Sequence, residues 1–67
     1  TKAVEWYKKA ANQGQVNAQY NLGHCYEYGL GVQKNIAQAI EWYRKASQQG
    51  DEDAKKKLGL LKDSGVA

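Results

Sequence analysis

The sequence predicts an all-α fold, a fragment of a solenoid built from about four antiparallel helices in αα-hairpins. Three observations predict it. The stretch Ala3-Val4-Glu5-Trp6-Tyr7-Lys8-Lys9-Ala10-Ala11-Asn12-Gln13-Gly14 returns 36 positions later as Ala39-Ile40-Glu41-Trp42-Tyr43-Arg44-Lys45-Ala46-Ser47-Gln48-Gln49-Gly50, with only mild exchanges such as Val/Ile, Lys/Arg and Asn/Gln. A fixed period of this size marks stacked supersecondary units, each burying a face on the next. Apolar residues recur at spacings of three and four, the helical stripe. The composition is rich in Ala, Lys, Gln, Glu and Leu and has neither Pro nor Phe, which favours helix throughout.

Sixty-seven residues make at most one small domain. At that size a single core is marginal, because ordering the chain costs on the order of 100 kcal/mol and burial returns little more. Cys25 is the one cysteine, so no internal disulfide forms, and with the one histidine, His24, it cannot complete a zinc site of three or four ligands. Helix packing, or neighbouring copies, must supply the stability. An unpaired cysteine favours a reducing compartment or a buried thiol. The net charge of +3 is too modest for a nucleic-acid arm, and no apolar run approaches the ~18 residues of a membrane span.

Taken in order, the first helix is predicted over 2–13, with Ala3, Trp6, Tyr7, Ala10 and Ala11 on one stripe and Gly14 as its stop. A second spans about 17–28. Ala18, Leu22, Cys25 and Tyr26 share its buried face beside Gly23, while Tyr20, His24 and Glu27 lie opposite with Asn17 and Tyr28 at the margins. Gly23 recurs as Gly59, each after a leucine. A glycine inside a helix costs roughly 1 kcal/mol against Ala, so both are expected to admit a close-packed neighbour. Gly29-Leu30-Gly31-Val32 ends this helix, with Leu30 or Val32 turned inward. Asn35 and Gln38 have the spacing of an N-cap and its capping-box partner. The third helix, 36–49, carries Ile36, Ala39, Ile40, Trp42, Tyr43 and Ala46, an apolar surface wide enough to be packed on two sides. Gly50 stops it. Asp51 caps a fourth helix over about 52–63, acidic at its start and basic further on, as the helix dipole favours. There Lys62 stands where Tyr26 would repeat, which suits the end of a stack.

Joined, these residues spell Ala18…Leu22-Gly23…Tyr26…Gly29-Leu30-Gly31-Val32…Asn35…Ala39…Trp42…Lys45-Ala46-Ser47…Gly50. The pattern resembles the Sel-one-like repeat (SLR), an αα-hairpin unit related to the tetratricopeptide repeat, over essentially the whole chain. Asn35, Gln38 and Ser47 depart from its usual Asp, Lys and Ala. The resemblance implies a right-handed superhelix whose first helices line the concave side and second helices the convex. It divides the chain into 1–14 (second helix of one repeat), 15–50 (one complete repeat) and 51–67 (first helix of the next, plus tail), a piece of a longer array. A cysteine-rich branch of the family joins the positions of Ser47 and Lys55 by a disulfide. Neither is Cys here, so that branch and any β-lactam-related activity of its members are not carried over.

Function classes follow. No catalytic residue and no cofactor is expected: His24 and Cys25 are neighbours about 100° apart on a helix and should not share a site, and Gly29-Leu30-Gly31 lacks the strand and lysine of a phosphate loop. Lys55, Lys56 and Lys57, following three acidic residues, are expected to be solvated surface, so nucleic acid is not an expected partner. The implied role is a scaffold or adaptor binding a protein or peptide on its concave face, through Tyr20, His24, Glu27 and Tyr28. The alternative is self-association through uncapped ends. Trp6, Ala18, Leu22, Gly23, Tyr26, Gly29, Gly31, Ala39, Trp42, Ala46, Leu58 and Gly59 are assigned to packing, with Tyr7 and Tyr43 beside them.

Overall fold

The computed structural model describes residues 2–65, and the side chains of residues 2–62. Four helices follow one another: α1 (Lys2–Asn12), α2 (Val16–Tyr28), α3 (Ile36–Gln48) and α4 (Glu52–Gly65). Each packs on the next, so α2 lies against α1 and α3, and α3 against α2 and α4. The result is a slab of 32 × 26 × 13 Å.

The glycine stop of α2 and the Asn35 cap of α3 are in place, while the Asn35 N–H bonds the carbonyl of Tyr26 and not the Gln38 side chain. Gly29 closes α2 with φ +70°, where a side chain would be strained, and its N–H bonds the carbonyl of Cys25. Val32, not Leu30, is the residue that turns inward; Leu30 is 49% exposed. The Asn35 side chain accepts from the N–H of Gln38 at 3.2 Å and caps α3. At the start of α4 the carbonyl of Asp51 accepts from the N–H of Lys55, the first bond of the helix.

Two apolar clusters fill the slab. Val4, Ala10, Ala11, Ala18, Leu22 and Cys25 form one between α1 and α2, with Tyr7, Tyr26, Val32 and Trp42 packed around it. Ala39, Tyr43, Ala46, Ala54 and Leu61 form the other between α3 and α4, bordered by Val16, Tyr20, Tyr26, Ile36, Ile40 and Leu58. Tyr26 and α3 serve both clusters, which accounts for the broad apolar surface of that helix. Gly23 is where α2 admits α3: a Cβ there would meet the ring of Tyr43 at 2.9 Å.

The equivalent glycine behaves otherwise. Around Gly59 nothing lies within 4 Å of an added Cβ, so the close neighbour expected there is not supplied by the described residues. Trp6, expected to pack, is 64% exposed, because among the described residues α1 packs on α2 alone. Its counterpart Trp42 is half-buried, with the Lys45 ammonium 4.5 Å from its ring centroid.

Candidate interaction surface

The four residues proposed for partner contact fall into two groups. Tyr20 and Glu27 are largely spent on the fold. Tyr20 packs on the buried ring of Tyr43, centroids 5.4 Å apart. Glu27 accepts the phenol O–H of Tyr43 at 2.7 Å and faces the Lys57 ammonium at 3.5 Å. A buried phenol needs an acceptor, and Glu27 is that acceptor. Burial and this carboxylate together hold the Tyr43 hydroxyl protonated far above the ordinary tyrosine range. Tyr20 and Glu27, expected opposite the buried face of α2, thus serve the packing of Tyr43 as well.

His24 and Tyr28 form the other group. They follow Tyr20 at steps of four, so one stripe of α2 carries all three rings. His24 lies between its neighbours, 6.5 Å from Tyr20 and 4.7 Å from Tyr28 by centroid. Tyr28 is 53% exposed.

Lys57 of α4 completes this surface, and the sequence had assigned it to solvent. Its ammonium donates to the Tyr28 hydroxyl at 3.1 Å and lies 5.3 Å from that ring's centroid. The bond to Tyr28, with the Glu27 carboxylate beside it, raises the Lys57 pKa and keeps the charge in place. Lys57 thus ties α4 to α2 across the partly buried Glu27, whereas Lys55 makes only an exposed pair with Glu52 at 3.8 Å. A second polar tie also escaped sequence reading. The buried Gln19 donates to the carbonyl of Ala11 at 3.2 Å and accepts from Gln49 at 2.8 Å, linking α2 to α1 and to the C-cap of α3. Its register equivalent is Lys55, so the repeat offered no signal for it. For Glu27 there was a signal: a tyrosine written twice on an apolar stripe needs a hydroxyl partner.

His24 and Cys25 both border one open cleft of about 360 Å³ with Ala3, Val4, Tyr7 and Asn21. Burial pushes the Cys25 thiol pKa up, away from the reactive thiolate. Among the described residues no group of three or more His, Cys, Asp or Glu side chains could hold a metal ion, and no helix is long and apolar enough to cross a membrane.

A 36-residue period over successive antiparallel helices is the mark of a helical repeat. A model of the Sel1 repeat matches residues 1–15 and 16–51. The chain belongs to the Sel1 repeat family. A Sel1 repeat protein from Oxalobacter formigenes, solved by crystallography, superposes with a TM-score of 0.88 at 48% identity, covering 92% of this chain and 26% of that one. The DAP3-binding cell death enhancer 1 of Rattus norvegicus is 47% identical over 38 residues, 57% of this chain and 8% of the relative. That of Mus musculus is 41% identical over 39 residues, 58% of this chain and again 8% of the relative. The chain therefore spans less than a tenth of these curated relatives and about a quarter of the crystallised protein. Sel1 repeats are helical modules of protein interaction, and this chain carries that architecture.

Proposed function

We propose that the chain is a non-catalytic interaction module that holds a peptide or protein segment on the concave face lined by α2 and α4. The observation that carries this reading is the cluster of His24, Tyr28 and Lys57, in which an exposed tyrosine sits between an imidazole and an ammonium. Tyrosine is a frequent interface anchor because it offers a large rigid ring and a polar tip. Tyr20 and Glu27 support this surface from beneath. The name of the matched relatives, DAP3-binding cell death enhancer 1, records a binding role for those proteins, which fits a protein ligand for this repeat.

The test uses a peptide-display library to select ligands for the 67-residue chain. Tyr28→Ala and His24→Ala should each weaken the selected ligands about tenfold or more, the scale of an interface anchor at ~1.4 kcal/mol. Far-UV circular dichroism should stay unchanged. Glu41→Ala, at an exposed position on α3, serves as the control. Ligands indifferent to both α2 substitutions would remove this face as the site.

A further inference from the structure

Around Tyr28 the molecule turns hydrogen-bond donors outward and keeps its acceptors inward. Lys57 donates to the Tyr28 oxygen at 3.1 Å, and the phenol's own proton has no acceptor among the described residues. A hydroxyl whose oxygen already accepts from a cation is the stronger donor for it. His24, its ring 4.7 Å from that of Tyr28 by centroid, also has no hydrogen-bond partner for its nitrogens among the described residues. The carboxylate of the cluster faces the other way. The Glu27 side chain is 13% exposed against 24% for Lys57, and a single oxygen of it serves both Tyr43 and Lys57. Lys34, exposed in the turn after α2, has its Cβ against Gly29 and brings a second cation beside Tyr28. The carbonyls at the end of α2, where the helix dipole would repel an anion, are met by N–H groups: Cys25 by those of Gly29 and Leu30, Tyr26 by that of Asn35.

We infer that the segment held on this face is acidic, an Asp or Glu side chain placing its carboxylate on the Tyr28 hydroxyl while Lys57 and Lys34 supply the opposite charge. This rests on the concave face being the binding face, as proposed above. A cationic segment would meet both lysines and leave the Tyr28 proton unpaired. The acid nearest along α4, Asp53, is exposed one turn before Lys57, about 6 Å along the helix. The Tyr28 end is therefore the positive end of the face, and the net charge of +3 draws an acidic segment toward it. Backbone N–H groups are what capture a terminal carboxylate. Here those of Gly29 and Leu30 are already bonded and the open donors are side chains, which suits a side-chain carboxylate within a passing segment.

Two peptide-display libraries, identical except that one offers Asp and Glu where the other offers Asn and Gln, are selected on the 67-residue chain. The acidic library should enrich about tenfold or more over the amide library. That advantage should shrink toward parity as NaCl rises from about 0.05 M to about 0.5 M. Tyr28→Phe keeps the ring and removes the donated proton, so it should cut the advantage to about threefold or less. Lys9→Ala, which removes an exposed charge from α1, should leave it in place. Synthetic ligands should bind equally with free and amidated C-termini. Equal enrichment, enrichment of neither library, an advantage unchanged by Tyr28→Phe, or dependence on a free C-terminus would each overturn the acidic ligand. Amide-library ligands as strong as the acidic ones and still weakened by Tyr28→Ala would overturn it too, yet leave the binding face standing. Ligands of either library indifferent to Tyr28→Ala and His24→Ala would remove the face itself.

Discussion

Helices α1 and α3 carry nearly the same twelve residues and live in different surroundings. Tyr43 of α3 is buried, stacked on Tyr20, pressed on Gly23 and bonded to Glu27; Tyr7 of α1 is half-exposed and meets Trp6 edge-on at 6.3 Å. Trp42 is half-buried against the α1–α2 cluster, whereas Trp6 is 64% exposed. Nothing in the local sequence makes this difference. It arises because, among the described residues, α3 has a helix on both sides and α1 on one. The apolar surface of a repeat is a potential for packing, and a neighbour decides whether it is realised.

The contrast can be broken most sharply at the tyrosines. Tyr43→Ala removes a fully buried ring and should cost about 3–5 kcal/mol, enough to unfold most of so small a domain at 25 °C. Tyr7→Ala should cost only about 1–2 kcal/mol, since half the ring already faces water. Urea titration followed by circular dichroism separates the two, and equal losses would refute the account of α1 as a one-sided helix. Next in size are the tryptophans: Trp42→Ala should lose about 2 kcal/mol, Trp6→Ala no more than about 0.5 kcal/mol. In the single-tryptophan proteins left by Trp42→Phe and Trp6→Phe, acrylamide should quench Trp6 more strongly than Trp42.

The glycines should respond with opposite signs. Gly23→Ala drives a methyl to 2.9 Å from a buried ring that has no room to retreat, for a net loss of about 1–2 kcal/mol. Gly59→Ala meets nothing and should gain up to about 1 kcal/mol from helix propensity. The same sign at both positions, by thermal melting, would show that the register equivalence is not an equivalence of environment in the way described.

The smallest effect concerns the Tyr43 hydroxyl. Tyr43→Phe keeps the ring and removes its bond to Glu27, which retains Lys57, so about 1 kcal/mol should be lost near neutral pH. The pH dependence carries a definite sign. In the fold the Tyr43 pKa is raised above its ordinary value of 10.0, so the folded protein keeps this proton where the unfolded chain releases it. The stability this represents is fully present below pH 10 and falls as pH rises beyond it. Tyr43→Phe should flatten that alkaline decline. A decline of the same steepness in both proteins would assign it elsewhere.

By itself the sequence determined the helices, their stops, the 36-residue register and the family. These are local or periodic properties: a stripe at helical spacing, a glycine where the backbone turns to positive φ, a cap such as Asn35. It also identified Gly23 as a site of close approach, because a costly residue repeated in register needs a reason. Which helix fills each approach was not legible. Gly23 and Gly59 look alike in the chain, yet one is occupied and one open, since occupancy depends on a residue 20 positions away and on whether a helix stands there. The interaction face was decided in the same way. Four polar and aromatic residues on one side of α2 looked equivalent, but tertiary contacts turned Glu27 and Tyr20 inward to serve Tyr43 and brought Lys57 from another helix to Tyr28. Hydrogen-bond satisfaction and ring packing between distant segments are pairwise properties of the folded molecule, and a single helix period contains only one partner of each pair.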